Sequence, residues 1–291
     1  MPNLKEIRNR ITSVGSTMQI TSAMKMVSAA KLKRAQDAIT QMRPYATKLK
    51  EILANLSATL DLSENAYSET REVKNILIVG ITSNRGLCGG FNNNIIKRSS
   101  FLINEEYKGK NVKLLCLGKK IKDVYKRTDN YFINDTLAPL EDVYANLSFE
   151  NVSAIADELM RGFLNKEYDQ VVVVYNRFVN AATQVIETEQ FLPIVPSAEV
   201  GNGGASDYIF EPSKQEIVED LIPKTLKIQL YKAIRDSFAA EHGARMTAMH
   251  KATDNAKELQ RNLKLSYNKA RQAAITNEIL EIVGGAEALN G

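Results

Sequence analysis

Cysteine is scarce in this sequence. Cys88 and Cys116 are the only two in 291 residues, far apart and outside any CxxC spacing, which excludes a disulfide framework and a cysteine-ligated zinc site. Histidine is limited to His242 and His250, two helical turns apart with no third ligand and no HExxH spacing, so no metal is expected. No apolar run approaches the roughly 18 residues of a membrane span, and the polar start "MPNLKEIRNR" lacks the apolar stretch and cleavage site of a secretory signal. The chain reads as cytosolic and reduced. A G-x-S-x-G elbow and a recognisable Cys/His nucleophile pair are missing too, so nothing here argues for catalysis.

What is there is unevenly charged. The net charge of +4 divides into 10 basic against 3 acidic residues over 1–57, 16 against 21 over 58–212, and 12 against 10 over 213–291. Basic ends around an acidic middle suit nucleic acid, an anionic surface or an acidic protein partner. A nucleic-acid binder is the less attractive reading, because aromatic residues are not interleaved with the basic ones.

The same boundaries separate textures. Residues 1–57 carry apolar residues at alternating spacings of three and four: Leu4, Ile7, Ile11, Val14 and Met18, then Met42, Tyr45, Leu49, Ile52 and Leu56. That is a heptad seam on a long helix. Between the two runs it drifts through Met24, Val27 and Leu32, which predicts a local change of supercoil pitch. Pro44 is expected to kink this helix without ending it. A second helix is predicted from Lys224 onward, where proline is absent to the end and Gly243 is the only glycine before Gly284. Its stripe is Ala252, Ala256, Leu259, Leu263, Tyr267, Ala270 and Ala274. Two long terminal helices, each with a seam it cannot bury alone, are best explained by winding around each other.

Residues 58–212 read as a central α/β domain. "NILIVGI" (75–81), "VKLLCL" (112–117) and "QVVVVYN" (170–176) are short unbroken runs of the kind buried on both faces of a sheet. Helical patterns at 92–107 and 149–165 separate them, which argues for a parallel, Rossmann-like arrangement. "TQVIETEQFLPI" (183–194) offers a further strand, and "PSAEVGNGGASD" (196–207) a loop.

The turn after the first strand, "TSNRGLCGGFNNN", has the look of a phosphate loop. Its glycines Gly86, Gly89 and Gly90 nevertheless fit neither G-x-G-x-x-G nor G-x-x-x-x-G-K-[ST]. Glu105 and Glu106 are the only acids near the spacing of a ribose ligand, and they fall in a helical pattern. The favoured reading is structural: the glycines supply positive φ angles and close helix packing. No bound nucleotide and no cofactor are expected. A nucleotide-dependent enzyme on this domain stays as the alternative.

Two stretches, "QITSAMKMVSAAKLKRAQ" (19–36) and "RQAAITNEILEIVGGAEAL" (271–289), resemble the terminal helices of the gamma subunit of rotary F-type ATP synthases. The second carries the family pattern I-T-x-E-x-x-E-x-x-x-G-A through Ile275, Thr276, Glu278, Glu281, Gly285 and Ala286. "TSNRGLCGGFNNNI" and "ARMTAMHKATDNA" (244–256) are similar to two further family segments, in the family's order.

The resemblance implies a fold and a role. The fold is a long antiparallel two-helix coiled coil made by segments 1–57 and 213–291, with the α/β domain between them. The role is a non-catalytic rotor that couples a proton-driven membrane ring to ATP chemistry in partner subunits. Implied partners are the alpha and beta subunits, the epsilon subunit and the ring of c subunits, with no nucleic acid. The implied location is the cytoplasmic face of a bacterial inner membrane, as a peripheral component. Arg271 and Gln272 are carried over as coupling contacts to a beta-subunit loop, and Tyr208, Phe210 and Glu211 of "DYIFEP" as a face toward the rotor ring. No regulatory cysteine pair is inserted here, so no thiol switch is expected. The apolar residues Ile279, Leu280, Ile282, Val283 and Leu289 cannot all face one helix and call for a surrounding sleeve. Met24 and Met26 suit contacts with changing neighbours, or ordinary core filling.

Overall fold

A computed structural model describes residues 4–59, 65–133, 140, 142–194 and 214–290. The chain divides into two compact units, one made of 29–245 and the other of 1–28 with 246–291. Tyr208, Phe210 and Glu211 lie outside the described residues. Among the described residues, no helix is long and apolar enough to cross a membrane.

The larger unit is built on a four-stranded sheet in the order β2-β1-β3-β4. Strands β1 (Asn75–Ile81), β2 (Asn111–Leu117) and β3 (Gln170–Phe178) are parallel, and β4 (Gln184–Leu192) returns antiparallel to β3. The unbroken apolar runs have a direct cause: a strand's side chains alternate between faces, and both faces are covered. Leu77, Val79 and Ile81 of β1, with Val171, Val173 and Tyr175 of β3, meet α4 (Phe149–Leu164) and Ile222, Leu226, Leu230 and Ile234 of α5 (Lys214–Asn290). Ile76, Ile78, Val172 and Val174 face the other way, toward Ile95 of α2 (Phe91–Phe101) and Ile121 of α3 (Lys119–Tyr125).

Strand β4 alternates poorly because most of its length is left uncovered; only Phe191 and Leu192 in it are buried. Helix α4 begins at a conventional cap, with Ser148 Oγ accepting from the Asn151 amide at 3.2 Å. The chain enters β1 over Asp169, whose carboxylate accepts from the Lys74 and Asn75 amides at 3.0 and 2.8 Å. Burial alone would raise this carboxyl's pKa, but the two amides and the charges of Arg71 and Lys74 outweigh it and hold it below the ordinary value.

Helix α1 (Leu4–Thr59) runs through Pro44 without ending. Helix α5 starts at Lys214, ten residues before the predicted start, and carries Pro223 inside it. A proline there removes one helical hydrogen bond. Burial of its neighbours Ile222 and Leu226 in the sheet core offsets that loss.

The smaller unit is an antiparallel helix pair, and cross-helix contacts fix its register. Arg8 donates to Tyr267 Oη at 2.8 Å, the hydroxyls of Thr21 and Thr253 are 2.8 Å apart, and Lys25 Nζ lies 3.5 Å from His250 Nδ1. A Cβ added at Gly15 would fall 2.9 Å from Gln260 Nε2, so the amide of Gln260 lies directly over the bare glycine. The α1 seam does not drift. Leu4, Ile7, Ile11, Val14 and Met18 continue as Thr21, Lys25 and Ser28 at unbroken heptad spacing, while Val27 is exposed. On α5 the seam passes through Met249, Thr253, Ala256, Gln260, Leu263, Tyr267 and Ala270, and Leu259 of the predicted stripe points away, half exposed.

Candidate functional site

The glycine turn is held from within. The Ser83 amide donates to Asn92 Oδ1 at 2.9 Å and its hydroxyl oxygen accepts from Asn92 Nδ2 at 2.8 Å, which pins the start of the turn to the first turn of α2. The Ser83 hydroxyl also lies 2.6 Å from the Arg85 carbonyl. Cys88 is buried under the turn with Asn92 Nδ2 3.2 Å from its sulfur, and burial pushes its thiol pKa up. Two residues take left-handed φ angles, Gly89 at 60° and Leu87 at 63°. Gly90 is an ordinary right-handed position at −78°. The expectation of positive φ therefore holds at Gly89 and not at Gly86 or Gly90, and a leucine takes the other left-handed position.

The turn meets helix α5 through a guanidinium. Arg245, 7% exposed, donates from Nη2 to the carbonyls of Arg85 and Gly86 at 3.0 and 3.2 Å, and from Nε to Gly86 at 3.3 Å. Its Nη1 pairs with Glu241 at 2.6 Å, one turn earlier on α5. A phosphate loop works by presenting backbone N–H groups. Here two consecutive carbonyls of the turn face a cation supplied by the chain itself.

Around this pair the side chains are buried. Burial raises the Glu241 carboxyl above its ordinary range, with Arg245 pulling the other way. Burial, then the charges of Arg245 and Lys31, lower the His242 pKa to about 3, so its ring is neutral. His242 stands edge-on to Phe238, with centroids 4.5 Å apart, and Phe238 stacks on Tyr144. Sequence reasoning missed Arg245, Glu241, Ser83, Asn92 and Leu87. The one signal was a Glu/Arg pair at i, i+4 in a run whose neighbours, Ala239 and Ala240, are fully buried.

The residues singled out near the C-terminus lie elsewhere, on the last turns of α5. The register of the helix pair places Leu4 opposite Arg271, so from Ile275 onward no described α1 residue stands opposite. Arg271, Gln272, Thr276, Glu278 and Glu281 are exposed, and so are Ile275 (47%), Ile279 (54%), Leu280 (63%), Ile282 (71%) and Val283 (51%). At about 100° per residue these five apolar side chains cover roughly 160° of the helix, with the two glutamates on the remaining side. The Thr276 hydroxyl donates to the Gln272 carbonyl at 2.9 Å. On α1, Met24 is half-buried beside the seam and Met26 is 66% exposed, off it. Among the described residues, no group of three or more His, Cys, Asp or Glu side chains is placed to hold a metal ion.

Comparison with known proteins accounts for nearly the whole length. The family described as ATP synthase matches residues 3–289. The ATP synthase gamma chains of Christiangramia forsetii and Flavobacterium johnsoniae are 63% and 64% identical over 292 and 296 residues, covering 100% of both chains in each case. A chain from the Euglena gracilis mitochondrial ATP synthase (OSCP/F1/c-ring, rotational state 3) superposes with a TM-score of 0.64 at 22% identity, over 98% of this chain and 94% of that one.

Proposed function

The chain belongs to the ATP synthase gamma chain family, and on that premise we propose that it is the central-stalk rotor of a proton-driven ATP synthase. It couples rotation of a membrane ring of c subunits to ATP synthesis and hydrolysis in beta subunits. It is not itself catalytic. Its partners are the alternating alpha and beta subunits, the epsilon subunit and the c ring, and it sits peripherally on the cytoplasmic face of the bacterial inner membrane. Segments 1–57 and 213–291 act as the shaft and 58–212 as the domain beside the ring.

The observation that carries this reading is the C-terminal end of α5. Five large apolar side chains stand 47–71% exposed there, with no α1 residue opposite among those described. An arc of that width left in water is costly, and it fits an apolar sleeve formed by a ring of partner subunits. A sleeve without directional bonds also suits a rotating axle, because strong directional contacts would trap it at particular angles.

Within that end, Ile275 and Thr276 belong to the bearing, the latter with its hydroxyl already engaged. Glu278 and Glu281 mark the polar side. Arg271 and Gln272 are the coupling contacts to a beta-subunit loop, and exposed Met26 with half-buried Met24 forms an adaptable contact on α1. Tyr208, Phe210 and Glu211 face the rotor ring.

Coexpression with the alpha and beta subunits tests the proposal. The chain is expected to copurify in an ATP-hydrolysing complex. Arg271→Ala with Gln272→Ala is expected to lower multisite turnover by about one to two orders of magnitude at equal assembly, since a charge-assisted hydrogen bond is worth roughly 1.5 to 3 kcal/mol. Failure of both subunits to copurify contradicts the rotor reading, and parental turnover in the double variant contradicts the assignment of Arg271 and Gln272.

A further inference from the structure

We propose that Arg245 is a positioning residue that locks the turn 83–90 onto α5, and that, in a rotor, this lock carries torque between the α/β domain and the helix. The torque half rests on the rotor reading above; the lock itself does not. The turn and Arg245 are about 160 residues apart in sequence and lie in the same compact unit.

Three features make this a built receptor for a guanidinium. First, the planar group uses all three of its nitrogens: Nε and Nη2 on the carbonyls of Arg85 and Gly86, and Nη1 on Glu241. A fork of fixed geometry matches two adjacent carbonyls, whereas an ammonium offers a point charge. Second, the turn cannot slide away from it without loss elsewhere. The Arg85 carbonyl also accepts from the Ser83 hydroxyl, and Ser83 is pinned to Asn92. Third, the turn holds a further helix: the Ser83 carbonyl and Asn84 Oδ1 accept from the amides of Lys120 and Lys119, at 3.2 and 2.9 Å, at the start of α3. One side chain of α5 therefore fixes the C-terminal end of β1 together with the beginnings of α2 and α3.

Exposure of Leu87 at 63%, in a left-handed conformation that leucine seldom adopts, fits a turn shaped from outside. Its buried neighbour Cys88 and the carbonyls before it are held, and the leucine at the apex is turned out. Loss of the guanidinium would release the two carbonyls and leave Glu241 buried without its cation.

The experiment uses Arg245→Ala and Arg245→Lys in the full-length chain and in complexes assembled with alpha and beta subunits and the c ring. On the isolated chain, amide exchange at Ser83, Lys119 and Lys120 is expected to become about tenfold faster or more in both variants, because opening the turn no longer breaks the lock. Millimolar methylguanidinium is expected to restore slow exchange in Arg245→Ala, with urea as the neutral control having no effect. In assembled complexes Arg245→Ala is expected to pump fewer protons per ATP hydrolysed, and methylguanidinium to recover the ratio. Should Arg245→Ala not fold, the exchange test stands on Arg245→Lys. Parental exchange in the variants, or rescue by urea as well as by methylguanidinium, overturns the lock. Faster exchange with the parental pumping ratio overturns the torque role alone. A parental complex that does not pump counts against the rotor reading and leaves the exchange result to decide the lock.

Discussion

His242 shows how much a single buried side chain reports about its surroundings. It is 5% exposed, in contact with Phe238 and 3.4 Å from a cationic nitrogen of Arg245, and its pKa falls from 6.5 to about 3. The unfolded chain takes up a proton on this ring below about pH 6.5 and the folded chain does not, so folding stability is complete above that value and declines as pH falls toward 3. His242→Gln should remove this component. Its unfolding free energy is expected to fall by roughly 2 kcal/mol less than the parent's between about pH 8 and about pH 5, measured by urea titration at both values. Equal pH dependence in the two proteins would mean that the folded ring takes up its proton as readily as the unfolded one. In the sequence this residue was one of two histidines without ligands around it, which excluded a metal motif but said nothing about burial. Arg245 was similarly opaque: beyond Glu241 one turn away, its partners are main-chain carbonyls some 160 residues off, and carbonyls carry no sequence signature.

Helices and strands were far more legible, and the failures are instructive. The strands β1, β2 and β3 stood out because they are covered on both faces and so read as continuous apolar runs. Strand β4 was legible only as a candidate, since a strand left uncovered over most of its length alternates weakly. The helix-pair seam was misread in two places for one reason. Its positions at Thr21, Lys25 and Ser28 on α1, and at Thr253 and Gln260 on α5, are polar. A count of apolar residues slips to their neighbours Met24, Val27 and Leu259, although the heptad itself never breaks. Polar seam residues persist because they find partners across the pair, hydroxyl to hydroxyl at Thr21 and Thr253 and amide over bare backbone at Gln260 and Gly15. The two versions of the seam make opposite predictions. Leu263→Asp is expected to cost about 2 kcal/mol and Leu259→Asp less than about 0.5 kcal/mol, in thermal melts followed by far-ultraviolet circular dichroism. Equal losses in the two variants would return Leu259 to the seam.

At the scale of the whole molecule, the family match and the exposed end of α5 lead to the same role. Residues 3–289 match as one unit, and the run from Ile275 to Val283 leaves five large apolar side chains exposed. The sequence signalled that need through the excess of apolar residues in its last turns. The sequence pointed to apolar residues on most sides there; in the structure they occupy one broad arc, with Glu278 and Glu281 on the other side, so the axle end has a direction as well as a surface. A rotor must turn, and the chain's own chemistry makes rotation accessible to direct observation. Both native thiols are buried, and burial pushes the Cys116 pKa up to about 12, so a cysteine introduced at exposed Lys108 can be labelled selectively with a bead. With the alpha and beta subunits of an assembled complex fixed to a surface, addition of ATP is expected to turn a bead on Lys108→Cys continuously in one direction. A bead that only fluctuates about a fixed angle while the same complexes hydrolyse ATP would contradict the rotor assignment.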